Sequence, residues 1–251
     1  MRFHNRLWLV MAITGSSLLA GCGDSGGSCD SADCIFPVTV TGDGYYEGTL
    51  TIPGGAQAHP AVAIIADNGD GVISDQNGTY YRLNVSLPEN DVSGTFYGIS
   101  QGVNFPNGTL KTTGSISADA SPSVLNGTLA DPTVDTFSLN FDTVYNLGSS
   151  LATLAGNWSY VANGFTLTVT IRPDGTFTAI DSNNCTYTGA FGLIDPEFNA
   201  YSENYTRSCG AVNVTFTGLA TYFPPTGNTA NAEIKLLADD GASEFLVADL
   251  Q

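Results

Sequence analysis

The chain reads as an all-β protein, and three observations point that way. Helix formers are scarce, with only 2 Met and 7 Lys and Arg together in 251 residues, whereas Gly (29), Phe (13) and Tyr (11) are plentiful. Short runs alternate apolar and polar residues with the period of two that places successive side chains on opposite faces of a strand. Turn sequences rich in Gly, Asn, Asp and Pro punctuate those runs.

The alternation is clearest in the second half. In "FTLTVTI" the residues Phe165, Leu167, Val169 and Ile171 share one face, and Thr166, Thr168 and Thr170 share the other. The pattern is that of a half-buried strand with a threonine-rich wet face. "CTYTGAF" turns Cys185, Tyr187, Gly189 and Phe191 inward, and "VNVTFTG" does the same with Val212, Val214 and Phe216. In the first half, "RLNVSL" buries Leu83, Val85 and Leu87, and "TFSLNF" buries Phe137, Leu139 and Phe141.

Runs between turn signals give about eight strands from 45 to 143 and about eight more from 157 to 249. The two sets align. "GYYEG" at 44 answers to "GNWSY" at 156, "AIIADNGDGVISDQNGTYY" to "VTIRPDGTFTAIDSNNCTY", and "DVSGTFYG" to "AVNVTFTG". An internal duplication follows, joined through "NLGSSLATLAG". The expected architecture is two tandem antiparallel up-and-down barrel-like domains of about eight strands, 41–148 and 149–251. Closure would remove the exposed sheet edges. Each half is expected to fold without the other. The alternative is one large β-sandwich or barrel built from both halves.

The N-terminus lies outside that fold. Arg2 and Arg6 precede the apolar run "LWLVMAITGSSLLA", which ends in "LAGC", Leu19 to Cys22. A short charged region, an apolar run and small residues before a cleavage point make a secretory signal over 1–21. "LAGC" resembles the lipobox of bacterial lipoproteins. The resemblance implies that Cys22 becomes the diacylated first residue, and Gly23 after it is similar to cargo sent to the outer membrane. Residues 22–40 would then be a flexible tether, and the membrane a partner through the lipid.

Four further cysteines, Cys29, Cys34, Cys185 and Cys209, make an even set in an exported chain, so disulfides are expected. Position favours local pairing, Cys29 with Cys34 in the tether and Cys185 with Cys209 across one pair of strands. The second bridge closes a loop worth about 3 kcal/mol by chain entropy. With the leader gone, Arg82, Lys111, Arg172, Arg207 and Lys235 stand against 24 acidic residues. A balance so acidic excludes nucleic acid as a partner and suits an exposed envelope protein.

"ADNGDGVISD", residues 66–75, has the composition of a calcium loop. Its spacing fails: with Gly71 at the sixth position of an EF-hand loop, Ala66 stands first and Asn77 last, where a glutamate is needed. Aligned with "RPDGTFTAID", the segment is a hairpin turn with a longer tip, so Asp67 and Asp70 are solvated and no metal is expected. His59, the only histidine beyond the leader, sits in the Gly-rich "PGGAQAHP" and reads as an exposed loop residue. No nucleophile motif occurs, and no pair among the acids stands out as a carboxylate-based hydrolase would require. No catalytic residue and no cofactor are expected.

"LAGNWSY", Leu154 to Tyr160, resembles the G-x-W entry to the first strand of lipocalins and related calycin barrels, with Gly156 and Trp158 on the matching positions. The resemblance implies a barrel with Trp158 plugging one end. The only late base is Lys235. The expected role is a membrane-anchored binding module for a small apolar ligand or an envelope partner. The alternative is a structural or adhesin-like surface protein without a cavity, presenting its threonine faces and Tyr45, Tyr46, Tyr80 and Tyr81.

Overall fold

The computed structural model describes residues 43–51, 58–75, 79–86, 91–100, 103–104, 110–118, 124–131, 133–225, 231–242 and 244–251. The all-β expectation holds. The first half contains β1 (Gly44–Thr51), β2 (Ala58–Ile65), β3 (Asp70–Asp75), β4 (Thr79–Ser86), β5 (Asp91–Ser100), the two-residue β6 (Val103–Asn104), β7 (Leu110–Ala118), β8 (Val124–Asp131) and β9 (Thr133–Asp142). The second contains β10 (Gly156–Ala162), β11 (Phe165–Ile171), β12 (Thr176–Asp181), β13 (Thr186–Leu193), β14 (Tyr201–Cys209), β15 (Val212–Phe223), β16 (Glu233–Asp239) and β17 (Phe245–Leu250).

Strands β10 to β17 form an eight-stranded antiparallel meander in chain order. It is nearly closed: the backbones of Ser159, in β10, and Gln251, just after β17, exchange two hydrogen bonds of 2.8 Å. The first half is a nine-stranded sheet in the order β4-β3-β2-β1-β9-β8-β7-β5-β6, in which β4 also pairs with β5. All of its pairings are antiparallel.

Alternation sets the inner face of the second sheet. Leu167, Val169, Ile171, Phe177, Phe191, Tyr205, Phe216, Leu236 and Leu250 are buried in one apolar cluster. Thr166, Thr168 and Thr170 face water, as their spacing predicts. Val212 departs from expectation at 60% exposure. It has the inward parity but is the first residue of β15, opposite the last of β14, and among the described residues β16 pairs with β15 only from Thr217 onward.

The hairpin at 66–70 is an ordinary tight turn. Gly69 (φ 87°) donates its N–H to the Ala66 carbonyl at 2.9 Å, and Ala66 donates to the Asp70 carbonyl at 2.8 Å. In the second half Gly175 (φ 83°) and Arg172 make the same two bonds, to Arg172 and Thr176, at 2.9 and 2.8 Å. A single glycine in the left-handed region closes both. The two tips are equal in length, so the expected longer tip in the first half is corrected.

Between the halves lies a third apolar cluster. Tyr45, Ile64, Val72 and Tyr80, on the outer faces of β1 to β4, pack with Leu219 and Leu237 of β15 and β16. Phe223 at the end of β15 and Phe245 and Val247 of β17 join them. Tyr45 meets Phe223 edge-on at 5.0 Å, and Tyr80 stacks on Phe245 at 5.3 Å. The connection is built in as well: the Asn199 side-chain amide donates to the Val144 and Tyr222 carbonyls at 3.0 and 2.6 Å. Residues Val38–Gln251 accordingly make one compact unit.

Candidate functional site

The second sheet has unlike ends. At one, the single-turn helix α1 (Leu151–Leu154) leads into β10, and Trp158 donates its indole N–H to the Leu154 carbonyl at 2.9 Å. Trp158 also meets Tyr222 edge-on at 6.4 Å, and both Leu154 and Trp158 belong to the interior cluster. This end is stoppered by apolar side chains. Lys235 is not part of it: it projects outward, 3.0 Å from Asp249 and 3.3 Å from Glu233.

The other end opens into a pocket of about 610 Å³. Tyr160, Phe165, Tyr187, Tyr205, Phe216 and Phe245 are its aromatic members, Asp181 and Arg207 its charged ones, and Asn163 and Asn183 its amides. Cys185 and Cys209 line it too and are joined in a disulfide, the bridge expected from their spacing. The bridge ties β14 to the loop that leads into β13. Cys22, Cys29 and Cys34 lie outside the described residues.

Strand β14 carries the polar chemistry inward. Tyr201, Glu203, Tyr205 and Arg207 alternate along one face. The Arg207 guanidinium lies 5.3 Å from the Phe216 ring centre and donates to Glu244 at 2.6 Å. Tyr205 stacks on the same Phe216 ring at 5.1 Å, with planes 9° apart. Asp181 is committed to the fold: one oxygen accepts the Asn183 and Cys185 N–H groups at 2.8 and 2.9 Å, and the other accepts the Tyr187 hydroxyl at 2.8 Å. Burial and that bond hold the Tyr187 phenol well above its ordinary range.

Deeper in, the barrel is filled. Between Leu167, Val169, Phe177, Phe191, Glu203 and Leu250 only about 20 Å³ remains, room for about one water molecule. Glu203 is 3% exposed, and neither carboxyl oxygen has a hydrogen-bond partner among the described residues. Burial pushes its carboxyl from 4.5 up to about 8, against a smaller opposing pull from Arg82. A carboxyl held there is mostly protonated at neutral pH.

Other expected positions are redistributed. His59 is not in a loop but in β2, half-buried and opposite Leu50; the strand starts earlier than the Gly-rich composition suggests. Tyr45, Tyr46, Tyr80 and Tyr81 are at most 1% exposed, so they present no surface. Asp67 and Asp70 belong to the 66–70 turn, where Asp70 accepts from the Asn68 amide at 3.1 Å. Sequence reasoning missed Glu203, Tyr205 and Arg207, although their spacing in "YSENYTRSC" carries the inward parity of Tyr201.

Comparison with known protein families, with curated proteins and with solved structures finds no match to this chain.

Proposed function

We propose that this protein is a lipid-anchored envelope lipoprotein, held at the outer membrane through Cys22, with two tandem barrels as its folded part. The second barrel binds a small, largely apolar ligand at its open mouth. The observation that carries this reading is the pocket of about 610 Å³ opposite the Trp158 end. Its volume falls within the range of small-molecule sites, and its lining combines six aromatic side chains with the polar Asn163, Asp181, Asn183 and Arg207. The β4 to β5 pairing, which returns the first sheet upon itself, supports the tandem arrangement. So do the matched turns at Gly69 and Gly175.

The role is binding rather than catalysis, since Asp181 is engaged by three donors and Glu203, 3% exposed, is sealed below the pocket. One observation favours the alternative of an interaction module without a ligand. The interior below the mouth is packed down to about 20 Å³, so a ligand has the mouth and not the barrel's depth.

Native mass spectrometry of the mature chain, expressed without its lipid anchor, separates the two. A discrete mass above the apoprotein, lost when the mouth is narrowed by Leu246→Trp, is the expected result. A bare mass from every preparation favours the interaction module. The anchor has its own test: Cys22→Ser is expected to abolish labelling by radioactive palmitate and leave an unprocessed precursor, and undiminished labelling would remove it.

A further inference from the structure

The mouth pocket has a chemical preference beyond its size. Asn163 and Asn183 are exposed at its edge, and three further polar groups sit at or beside it with unequal freedom. Asp181 already accepts three hydrogen bonds, and the Arg207 terminal nitrogen is engaged by Glu244. The Tyr205 hydroxyl and the Arg207 Nε are buried, and neither has a partner among the described residues. Tyr205 is 4% exposed, and it borders both the mouth pocket and the small void beneath it. Both unsatisfied atoms can donate a hydrogen bond, and Nε can do nothing else. A buried donor without an acceptor has a desolvation cost that a ligand acceptor would remove.

Charge sets the rest. Asp181 and Glu244 are two negative charges against the single positive charge of Arg207. An anionic ligand would face that excess in a chain that is already strongly acidic. A neutral acceptor oxygen meets no such repulsion. Tyr205 and Phe216 stack on each other and are 4% and 3% exposed, so the aromatic surface open to a ligand is that of the half-buried Tyr160, Phe165 and Phe245.

We propose that the pocket takes a neutral, largely apolar molecule bearing a carbonyl-type oxygen, which accepts a hydrogen bond from the Tyr205 hydroxyl, the Arg207 Nε being a second donor. This deepens the ligand-binding reading and rests on it. Entry of the oxygen requires the side-chain adjustment that commonly accompanies binding.

The test uses two fluorescent naphthalenes. Prodan, 6-propionyl-2-dimethylaminonaphthalene, is neutral, flat and carries a ketone; 2-dimethylaminonaphthalene has the same ring system and no oxygen. Titrated into the mature protein, Prodan is expected to bind about tenfold more tightly or better, with a shifted emission maximum. Tyr205→Phe keeps the ring and its stack, so it should fold as the parent does. It is expected to weaken Prodan several-fold and leave 2-dimethylaminonaphthalene unchanged. The anionic probe 1-anilinonaphthalene-8-sulfonate should bind more weakly than Prodan. Equal binding of the two naphthalenes, or Prodan affinity unmoved by Tyr205→Phe, overturns this inference and leaves an apolar pocket standing. Failure of both naphthalenes to bind overturns the pocket reading along with it.

Discussion

Arg82 reaches across between the halves of the chain to place its Nη1 3.1 Å from Asp239 Oδ2, a pair separated by 157 residues. The Tyr80 hydroxyl, two residues earlier on β4, donates to the same oxygen at 3.0 Å. Arg82 is further held by the Thr217 carbonyl at 3.0 Å and its hydroxyl at 3.1 Å. Asp239 is 2% exposed, whereas the Arg82 side chain keeps 30%. Removing the cation leaves a buried carboxylate short of its charge partner, which costs about 3 kcal/mol or somewhat less given the arginine's exposure. Arg82→Met is therefore expected to lower the denaturant midpoint clearly, and Asp239→Asn less so because it removes the buried charge itself. A midpoint unchanged by Arg82→Met would show that the pair contributes nothing to joining the halves.

Glu203 makes stability depend on pH in the opposite sense from an ion-paired acid. Its folded value of about 8 exceeds the unfolded 4.5, so the folded chain binds the proton more tightly. The neutral form is favourable to folding below 4.5, and stability declines as pH rises from there to 8. By pH 7 the loss is about 3 kcal/mol. Arg82 is the one charge that moderates this shift. Glu203→Gln removes the titration, so wild type should fall behind the variant steadily between pH 5 and 8 in thermal melts. Parallel melting curves across that range would mean that the carboxyl is not held neutral.

The bridge between Cys185 and Cys209 spans 24 residues of sequence at the rim of the pocket. Chain entropy values such a loop at about 3 kcal/mol. In a chain of this size that corresponds to roughly 10 °C in Tm. Reduction, or the double change of Cys185 and Cys209 to Ala, should lower Tm by about that amount. A melt indifferent to reductant would place the bridge's contribution near zero.

Much of the fold was legible because the second sheet obeys the period of two with one face wet. Thr166, Thr168 and Thr170 told inside from outside without ambiguity. The core between the halves was harder to read because its strands are covered on both faces. "AVAII" in β2 and "GLATYF" in β15 are apolar at adjacent positions, the pattern of a strand buried on two sides. Adjacent tyrosines carry the same message. Tyr46 enters one cluster and Tyr45 another, on opposite sides of β1, and Tyr81 and Tyr80 do so on β4. Read one face at a time, each pair looks like surface aromatics. The site was hidden for a different reason: an inward glutamate breaks the apolar rule by which inward positions are recognised.

That shared core bears on whether the halves stand alone, and a fragment of 150–251 tests it. The interior cluster from Leu154 to Leu250 belongs wholly to the second half, so the fragment should give a strand-type circular dichroism spectrum and a cooperative melt. Its outer face is another matter. Leu219, Phe223, Leu237, Phe245 and Val247 would lose their cover from Tyr45, Ile64, Val72 and Tyr80, and Asp239 would lose Arg82. A contiguous apolar patch of that kind drives association. The fragment is therefore expected to self-associate in analytical ultracentrifugation and to return to a defined 1:1 species when a 41–148 fragment is refolded with it. Leu237→Lys should restore a monomer and abolish that reassembly together. A fragment that stays monomeric unaided, and melts where the whole chain does, would mean that the contact between halves adds no stability and that each half folds independently.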